Sequence, residues 1–207
     1  IGQQARFENE RRWLTWDLLC GRVTRDHPLW ERLAAHRLDE RLKAIADDPC
    51  PPDVIGVNHY LTSERFLDHR LEHYPAGRHG GNGEVAYADV EAIRVLLPAP
   101  GGLEGVLDEA WARYGQTLAI TECHNGCTRE EQIRWVREAW KASHRLRERG
   151  VEIEAVTAWA LLGSYDWNSL LTRKLGHYES GAFDLRGPKP RPTGLANALR
   201  DLALQSD

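Results

Sequence analysis

The sequence contains no methionine, only three phenylalanines and only four cysteines among 207 residues. The cysteines, at positions 20, 50, 123 and 127, are too scattered to predict a disulfide framework, and a chain of this length does not need one. We therefore expect free thiols and a reduced, cytoplasmic setting. Since the chain has no initiator methionine and opens inside a helix-like pattern, we also expect it to be a piece of a longer protein.

The sequence also lacks a large excess of one charge and a long apolar run. The net charge is -4, and basic residues are interleaved with acidic ones, as on solvated helix faces. No apolar run reaches the roughly 20 residues of a membrane-spanning helix. We expect neither a nucleic-acid partner nor a membrane. Tryptophan is abundant, with eight copies, but its ring serves protein cores and sugar-stacking faces equally well.

Three short apolar runs, each followed by polar or aromatic residues, carry the fold prediction. They span residues 54–57, 118–120 and 155–158, and they lead into Asn58-His59-Tyr60, Thr121-Glu122 and the segment from Trp159 to Trp167. Apolar runs without alternation are typical of parallel strands that are buried on both faces.

Helix-like segments separate these runs. They are predicted at residues 3–20, 29–46 and 103–114, from the capping box at Thr128 to Gly150, and at 193–204. Residues 61–88 are predicted to be a long polar loop, in which 79–83 are flexible. Alternating helices and strands predict an α/β fold with a parallel sheet. Three strands cannot close a barrel, so the chain is either a small open sheet or the carboxyl-terminal part, about strands 6–8, of a (β/α)8 TIM barrel.

The residues after these runs resemble the carboxyl-terminal part of a family 1 glycoside hydrolase of the β-glucosidase type. Residues 53–60 are similar to the family's sixth strand, D-F-L-G-x-N-Y-Y; residues 120–122 to its seventh, I-T-E-N-G; and residues 158–167 to its eighth, A-W-S-L-x-D-N-F-E-W. The motifs follow in the family's order along most of the chain, which we take as a single partial barrel domain, 1–207. There is also a weaker resemblance to glycosidase-like modules joined to sugar-nucleotide reductases.

Three departures from the family pattern concern the site. His59 stands where the family usually has tyrosine, and Asp166 replaces a glutamate that would hold sugar hydroxyls. The Asn-Gly pair that follows the nucleophile is displaced, so that Cys123 and His124 come between. These departures bear on sugar specificity and on whether activity is retained.

The resemblance implies a catalytic site for retaining glycoside hydrolysis. Glu122 would be the nucleophile and Tyr60 its hydrogen-bond donor, while a general acid/base about 5 Å away would come from the fourth strand, outside this chain. The isolated chain is therefore expected to be inactive. The predicted substrate-binding residues are Asn58, His59, His124, Trp159, Asp166 and Trp167. No cofactor is expected, and because Cys123, His124 and Cys127 lack a second ligand pair, no metal either.

Several of these residues have a structural alternative. Glu122 could pair with an arginine, Tyr60 and the tryptophans could fill a core, and His124 could lie on a surface loop. Three functions stay open: a retaining hydrolase, a non-catalytic carbohydrate-binding module, and another barrel enzyme such as a transglycosidase. In each case we expect a missing amino-terminal barrel half, or an oligomer partner, to cover the exposed sheet edge.

Overall fold

The computed structural model describes residues 1–170 and 172–205. Its helices are α1 (Gly2–Leu19), α2 (Trp30–Ala34), α3 (Asp39–Asp47), α4 (Gly102–Tyr114), α5 (Arg129–Glu148) and α6 (Gly194–Ala203). Its strands are β1 (Val54–Asn58), β2 (Arg65–Asp68), β3 (His79–Gly81), β4 (Ala86–Glu91), β5 (Thr117–Cys123), β6 (Ile153–Ala158), β7 (Ser164–Tyr165), β8 (Tyr178–Glu179), β9 (Phe183–Asp184) and β10 (Arg191–Pro192). The chain divides into two compact units, Ile1–Asp53 with Thr62–Pro100 and Val54–Leu61 with Gly101–Asp207.

The first unit combines the amino-terminal helices with a small antiparallel sheet. Val23, Trp30 and Leu42 form its buried apolar cluster, against which side chains of α1 pack. The sheet has the order β2-β4-β3, and both neighbours run antiparallel to β4.

Two sequence-based predictions are wrong in this unit. The single helix expected at residues 29–46 is two helices, because Arg37 adopts a left-handed conformation (φ 59°) that interrupts the helix between α2 and α3. The polar loop expected at residues 61–88 contains β2, β3 and the first residues of β4, and the segment expected to be flexible there includes β3. Strands of three to six residues bury too few side chains for their alternation to stand out in the sequence.

The second unit contains a parallel sheet with the order β1-β5-β6. Helices α4 and α5 pack against its strands, and α6 packs against α5. The fully buried side chains of Leu107, Leu118, Ile120 and Leu146 form the centre of this layer. The predicted α/β class with parallel strands is confirmed, but the described residues do not form a complete barrel.

Local signals placed the helix ends of this unit correctly. Gly115 ends α4 in the left-handed conformation (φ 61°), which glycine adopts at little cost. Thr128 caps the amino-terminal end of α5, and its hydroxyl accepts a hydrogen bond from the Glu131 backbone N–H at 3.4 Å. The last predicted helix is also present, as α6.

The remaining predictions concern the cysteines, the cellular setting, the membrane and the number of domains. All four cysteines are free thiols in the described structure, and a cytoplasmic setting stays a prediction. None of the helices in the described ranges is both long and apolar enough to cross a bilayer. That residues 1–207 make a single partial barrel domain also stays a prediction.

Candidate active site

A β-bulge shapes the carboxyl edge of the parallel sheet. Strands β1 and β5 pair in register up to Val57 and Ile120, after which Asn58 pairs with Glu122, so Thr121 is an extra residue in β5. The register of β5 against β6 is irregular over the same stretch. A bulge redirects the side chains beyond it, and this one brings Glu122 to the side of the sheet that carries Asn58. Nothing in the apolar pattern of the sequence indicated it.

Thr121 also holds the side chain of Asn58 in one orientation. Its hydroxyl donates a hydrogen bond to Oδ1 of Asn58 at 2.5 Å. A Cβ atom at Gly56 would lie 2.8 Å from Cγ2 of Thr121, so this packing requires glycine at position 56. Because the carboxamide oxygen of Asn58 is engaged, its Nδ2 group is the one that a ligand would meet.

Tyr60 and Glu122 are joined directly. The Tyr60 hydroxyl donates a short hydrogen bond to Oε2 of Glu122. Burial, and then the bond to Glu122 and its negative charge, raise the pKa of Tyr60 to about 12. The phenol therefore stays neutral at physiological pH and remains a donor to the carboxylate. The contact implied by the family resemblance is present.

His124 joins this pair to an aromatic cluster. Its Nδ1 lies 3.1 Å from the backbone carbonyl oxygen of Trp159, and its Nε2 lies 2.7 Å from Oε1 of Glu179. Its ring meets Trp159 edge-on, with centroids 4.6 Å apart, and it also faces Tyr60 edge-on at 6.4 Å. The Trp167 ring lies 5.2 Å from that of Trp159 and is 43% exposed.

Glu179 was not singled out in the sequence, because it lies in a segment that reads as irregular. It is positioned by the antiparallel pairing of β7 with β8, in which Ser164 is opposite Glu179. Two glycines allow this hairpin to pack tightly. A Cβ atom at Gly163 would collide with the Tyr178 hydroxyl, and one at Gly181 would lie 2.6 Å from the Ala160 carbonyl oxygen.

Asp166 holds the same hairpin. It is only 7% exposed, and its carboxylate accepts hydrogen bonds from the backbone N–H groups of Leu175 and Gly176 (3.1 and 3.2 Å, both to Oδ2) and of His177 (2.9 Å, to Oδ1). Three backbone bonds engage both oxygens, which favours a structural role. The predicted contact between Asp166 and a sugar is untested.

His59 is buried beside helix α5. It is 4% exposed, and its ring stacks against Trp135 of α5, with centroids 6.5 Å apart and planes at 25°. Its predicted contact with a sugar is likewise untested, and its burial beside α5 favours a packing role.

No group of three or more His, Cys, Asp or Glu side chains within 1–170 and 172–205 is arranged to hold a metal ion. Burial raises the pKa of the Cys123 thiol to about 12, which leaves it protonated and unreactive at neutral pH.

Comparison with known proteins places the chain among its relatives by sequence and by fold. No family model matches the chain. The chain is 28% identical over 135 residues to Beta-glucosidase 47 of Arabidopsis thaliana, which covers 61% of this chain and 25% of that protein.

Three solved structures superpose on most of this chain. The AHE enzyme from Alicyclobacillus herbarius superposes with a TM-score of 0.62 at 16% identity, covering 95% of this chain and 44% of that one. A beta-glucosidase from Exiguobacterium marinum gives 0.57 at 16% identity, covering 93% and 44%. The beta-glucosidase from Thermotoga maritima in complex with noeuromycin gives 0.56 at 15% identity, covering 93% and 46%.

The fold thus defines the class of protein, an α/β chain built like part of a glycosidase barrel. More particularly, the chain is similar to family 1 β-glucosidases and corresponds to a carboxyl-terminal part of them, which confirms the resemblance drawn from the sequence. It spans less than half the length of these relatives.

Proposed function

We propose that these residues form the carboxyl-terminal portion of the active site of a retaining β-glycosidase. The observation that carries the proposal is the hydrogen bond between Tyr60 and Glu122 at the carboxyl edge of the parallel sheet. That edge is where (β/α)8 enzymes hold their catalytic groups. A hydrogen bond from a neutral phenol fixes the orientation of the carboxylate.

The proposed reaction has two steps. A carboxylate oxygen of Glu122 attacks the anomeric carbon as the glycosidic C–O bond breaks, and an acid on the other side of the sugar protonates the leaving alcohol. Water then attacks the resulting glycosyl ester, assisted by the same group acting as base, and releases the sugar and free Glu122. The acid/base residue is expected on the fourth strand of the complete barrel, outside this chain. No cofactor or metal takes part.

Other residues of the cluster would hold the substrate. The Nδ2 group of Asn58 is available to donate to a sugar hydroxyl, since Thr121 engages the carboxamide oxygen. Trp159 and the exposed ring of Trp167 offer flat apolar faces on which a sugar ring can stack. His124 would form the wall behind Trp159.

We also propose that further strands complete the sheet. Strands β1 and β6 are its two edges, and Ala155 and Thr157 of β6 are exposed. Parallel strands are ordinarily covered on both faces, and open edges invite pairing. The barrel strands would come from the amino-terminal barrel half or from an oligomer partner.

A second candidate is a carbohydrate-binding module without catalysis. The paired rings of Trp159 and Trp167 favour it, because they could bind a sugar whether or not Glu122 reacts. The two candidates differ in one outcome, the formation of a covalent bond to Glu122.

Active-site labelling of the full-length gene product tests the proposal. A 2-deoxy-2-fluoro glycoside lets the glycosyl ester form but slows its hydrolysis, so peptide mass spectrometry can locate the sugar. We expect the label on the peptide that contains Glu122, and no label in Glu122→Gln. The matched control is Glu154→Gln, an exposed glutamate near the other end of β6, which should label like the wild type.

Sugar binding without any label, across several glycosides, would overturn the catalytic proposal in favour of the binding module. If the label does form, product analysis with competing alcohol acceptors would separate hydrolysis from transglycosylation.

A further inference from the structure

The backbones of two cysteines meet in the first unit, although 30 positions separate them along the chain. Cys20 directly follows α1, and Cys50 lies three positions beyond the end of α3. The backbone N–H of Cys50 donates a hydrogen bond of 2.9 Å to the carbonyl oxygen of Leu19. A Cβ atom at Gly21 would lie 3.0 Å from Cβ of Pro49. The two segments that carry the cysteines are therefore in direct contact and run in opposite directions.

This contact brings the two Cα atoms within the range that a disulfide can span. The Leu19 carbonyl belongs to the peptide unit that leads into Cys20, so standard bond lengths put the Cα atoms of Cys20 and Cys50 at most about 7 Å apart. The chain bends at each of these bonds, which shortens the distance further. Disulfides join Cα atoms that are about 4.4–6.8 Å apart. Cys20 is half-buried and Cys50 is exposed, so both side chains have room to rotate.

Both backbones are held in place before any covalent bond forms. The Cys20 N–H donates a hydrogen bond of 2.8 Å to the carbonyl oxygen of Trp16, in the last turn of α1. Cys50 stands between Pro49 and Pro51, whose rings fix their own φ angles and restrict the residue before them. Two groups that are held close together react with each other much faster than with the same groups in solution.

We propose that Cys20 and Cys50 form a reversible disulfide, which closes residues 20–50 into a covalent ring around the apolar cluster of the first unit. The buried residues of that cluster, Val23, Trp30 and Leu42, all lie within the ring. A cross-link stabilises a fold mainly by restricting the unfolded chain, and the effect grows with the size of the ring. This ring contains 31 residues, so its closure should stabilise the cluster measurably.

The oxidant belongs to the class of small disulfides, for which oxidised glutathione is the probe. The exposed Cys50 thiolate attacks one sulfur of glutathione disulfide, so that a Cys50–glutathione bond forms and one glutathione thiolate leaves. The Cys20 thiolate then attacks Sγ of Cys50, the protein disulfide forms and the second glutathione thiolate leaves. Two protein thiols thus lose two protons and two electrons, and one glutathione disulfide becomes two glutathione thiols.

The surroundings of Cys20 support this order of attack. Burial raises the pKa of the Cys20 thiol, while the charge of Arg22 opposes that rise. A half-buried thiol with a raised pKa meets a solution oxidant less readily than an exposed one. Cys20 is therefore the resolving thiol, and Cys50 is the one that glutathione reaches first.

The experiment treats the reduced full-length gene product with oxidised glutathione, blocks the remaining thiols with N-ethylmaleimide and maps the tryptic peptides by mass spectrometry. Trypsin leaves Cys20 in peptide 13–22 and Cys50 in peptide 44–65, whereas Cys123 and Cys127 share peptide 114–129. We expect a disulfide that joins 13–22 to 44–65 and that dithiothreitol breaks. Cys20→Ser and Cys50→Ser should each abolish this pair of peptides. The matched control is Cys127→Ser, at another exposed thiol, which should keep it.

Amide hydrogen exchange measures the effect of the closed ring. We expect exchange at the cluster residues Val23, Trp30 and Leu42 to slow by about tenfold or more when the wild-type protein is oxidised, and to stay the same in Cys20→Ser.

Two outcomes would overturn the proposal. One is glutathione that stays on Cys50 without passing into a bond with Cys20, and the other is a disulfide from 44–65 to 114–129 in equal yield. Exchange that is equally fast in the oxidised and reduced proteins would overturn the stabilising effect of the ring. Because neither thiol takes part in the proposed glycoside chemistry, failure of the fluoroglycoside labelling would not bear on these results.

Discussion

Replacing Asp166 tests whether its carboxylate organises the hairpin that carries Glu179. The three backbone N–H groups that it binds, at residues 175–177, come directly before Tyr178 and Glu179 of β8. Asp166→Ala removes all three acceptor contacts. Asp166→Asn keeps the shape but places an amide NH2 group against at least one of the backbone donors.

The expected magnitude follows from the number of bonds and the exposure of their donors. A hydrogen bond to a charged acceptor contributes about 1.5–3 kcal/mol. Residues 175–177 are exposed, so water can replace part of each lost bond, and roughly 1 kcal/mol per bond is a fairer figure. Asp166→Ala should therefore cost the local structure about 3 kcal/mol, and Asp166→Asn about 1–2 kcal/mol. Asparagine tolerates the left-handed backbone of position 166 (φ 57°), so strain adds little.

Native-state amide hydrogen exchange is the suitable assay, because this hairpin can open without the whole chain unfolding. A loss of about 3 kcal/mol corresponds to exchange faster by roughly 100-fold at residues 175–177 in Asp166→Ala, with a smaller increase in Asp166→Asn. The matched control is Asp201→Ala on the exposed side of α6, which should change these rates little. An increase below about fivefold in Asp166→Ala would refute the structural role, since it corresponds to about 1 kcal/mol or less.

Three further predictions concern other contacts. Tyr60→Phe removes the donor to the candidate nucleophile, at a cost of about 1.5–3 kcal/mol, so fluoroglycoside labelling should slow by about 10- to 100-fold; an unchanged rate would show that the bond does not assist the reaction. Gly163→Ala drives a Cβ atom into the Tyr178 hydroxyl and should lower the urea midpoint by an amount equivalent to about 1–3 kcal/mol, part of which Tyr178→Phe restores in the double variant. The Arg70 guanidinium, then its backbone N–H, hold the pKa of Asp68 well below its usual range. Because the folded pKa is the lower one, this stabilisation is present above about pH 4 and is lost as pH falls, so Asp68→Asn should flatten the acid limb of a stability–pH profile.

The sequence predicts those parts of the fold that depend on local signals. The parallel strands appear as apolar runs because side chains such as Ile55, Leu118 and Ile120 are buried. Helices α4 and α5 are bounded by residues whose backbone preferences are strong, Gly115 and Thr128. The small antiparallel sheet of the first unit was missed, because its strands have only three to six residues and β3 is exposed along its whole length. The break at Arg37 was missed because arginine has no preference for the left-handed backbone conformation that it adopts there.

In the candidate site, too, local sequence predicts some features, whereas others depend on tertiary structure. Residues at the ends of apolar runs, such as Asn58 and Glu122, were found because the carboxyl ends of neighbouring parallel strands lie at one edge of a sheet. The side on which Glu122 lies depends on the extra residue Thr121 in β5, and that depends on the pairing of three strands rather than on any one of them.

Glu179 is a residue of the candidate site that the sequence alone did not reveal. Oxygen Oε1 of Glu179 is buried, and the histidine beside it, His124, lies in a different loop, 55 positions away along the chain. Two further contacts set the pair in place, the backbone bonds of Asp166 at residues 175–177 and the pairing of β7 with β8. If these contacts position Glu179 beside His124, removing the Asp166 carboxylate should change the surroundings of the His124 and Trp159 rings. An indole N–H NMR signal of Trp159 that is the same in Asp166→Asn as in the wild type would show that the hairpin does not organise the site.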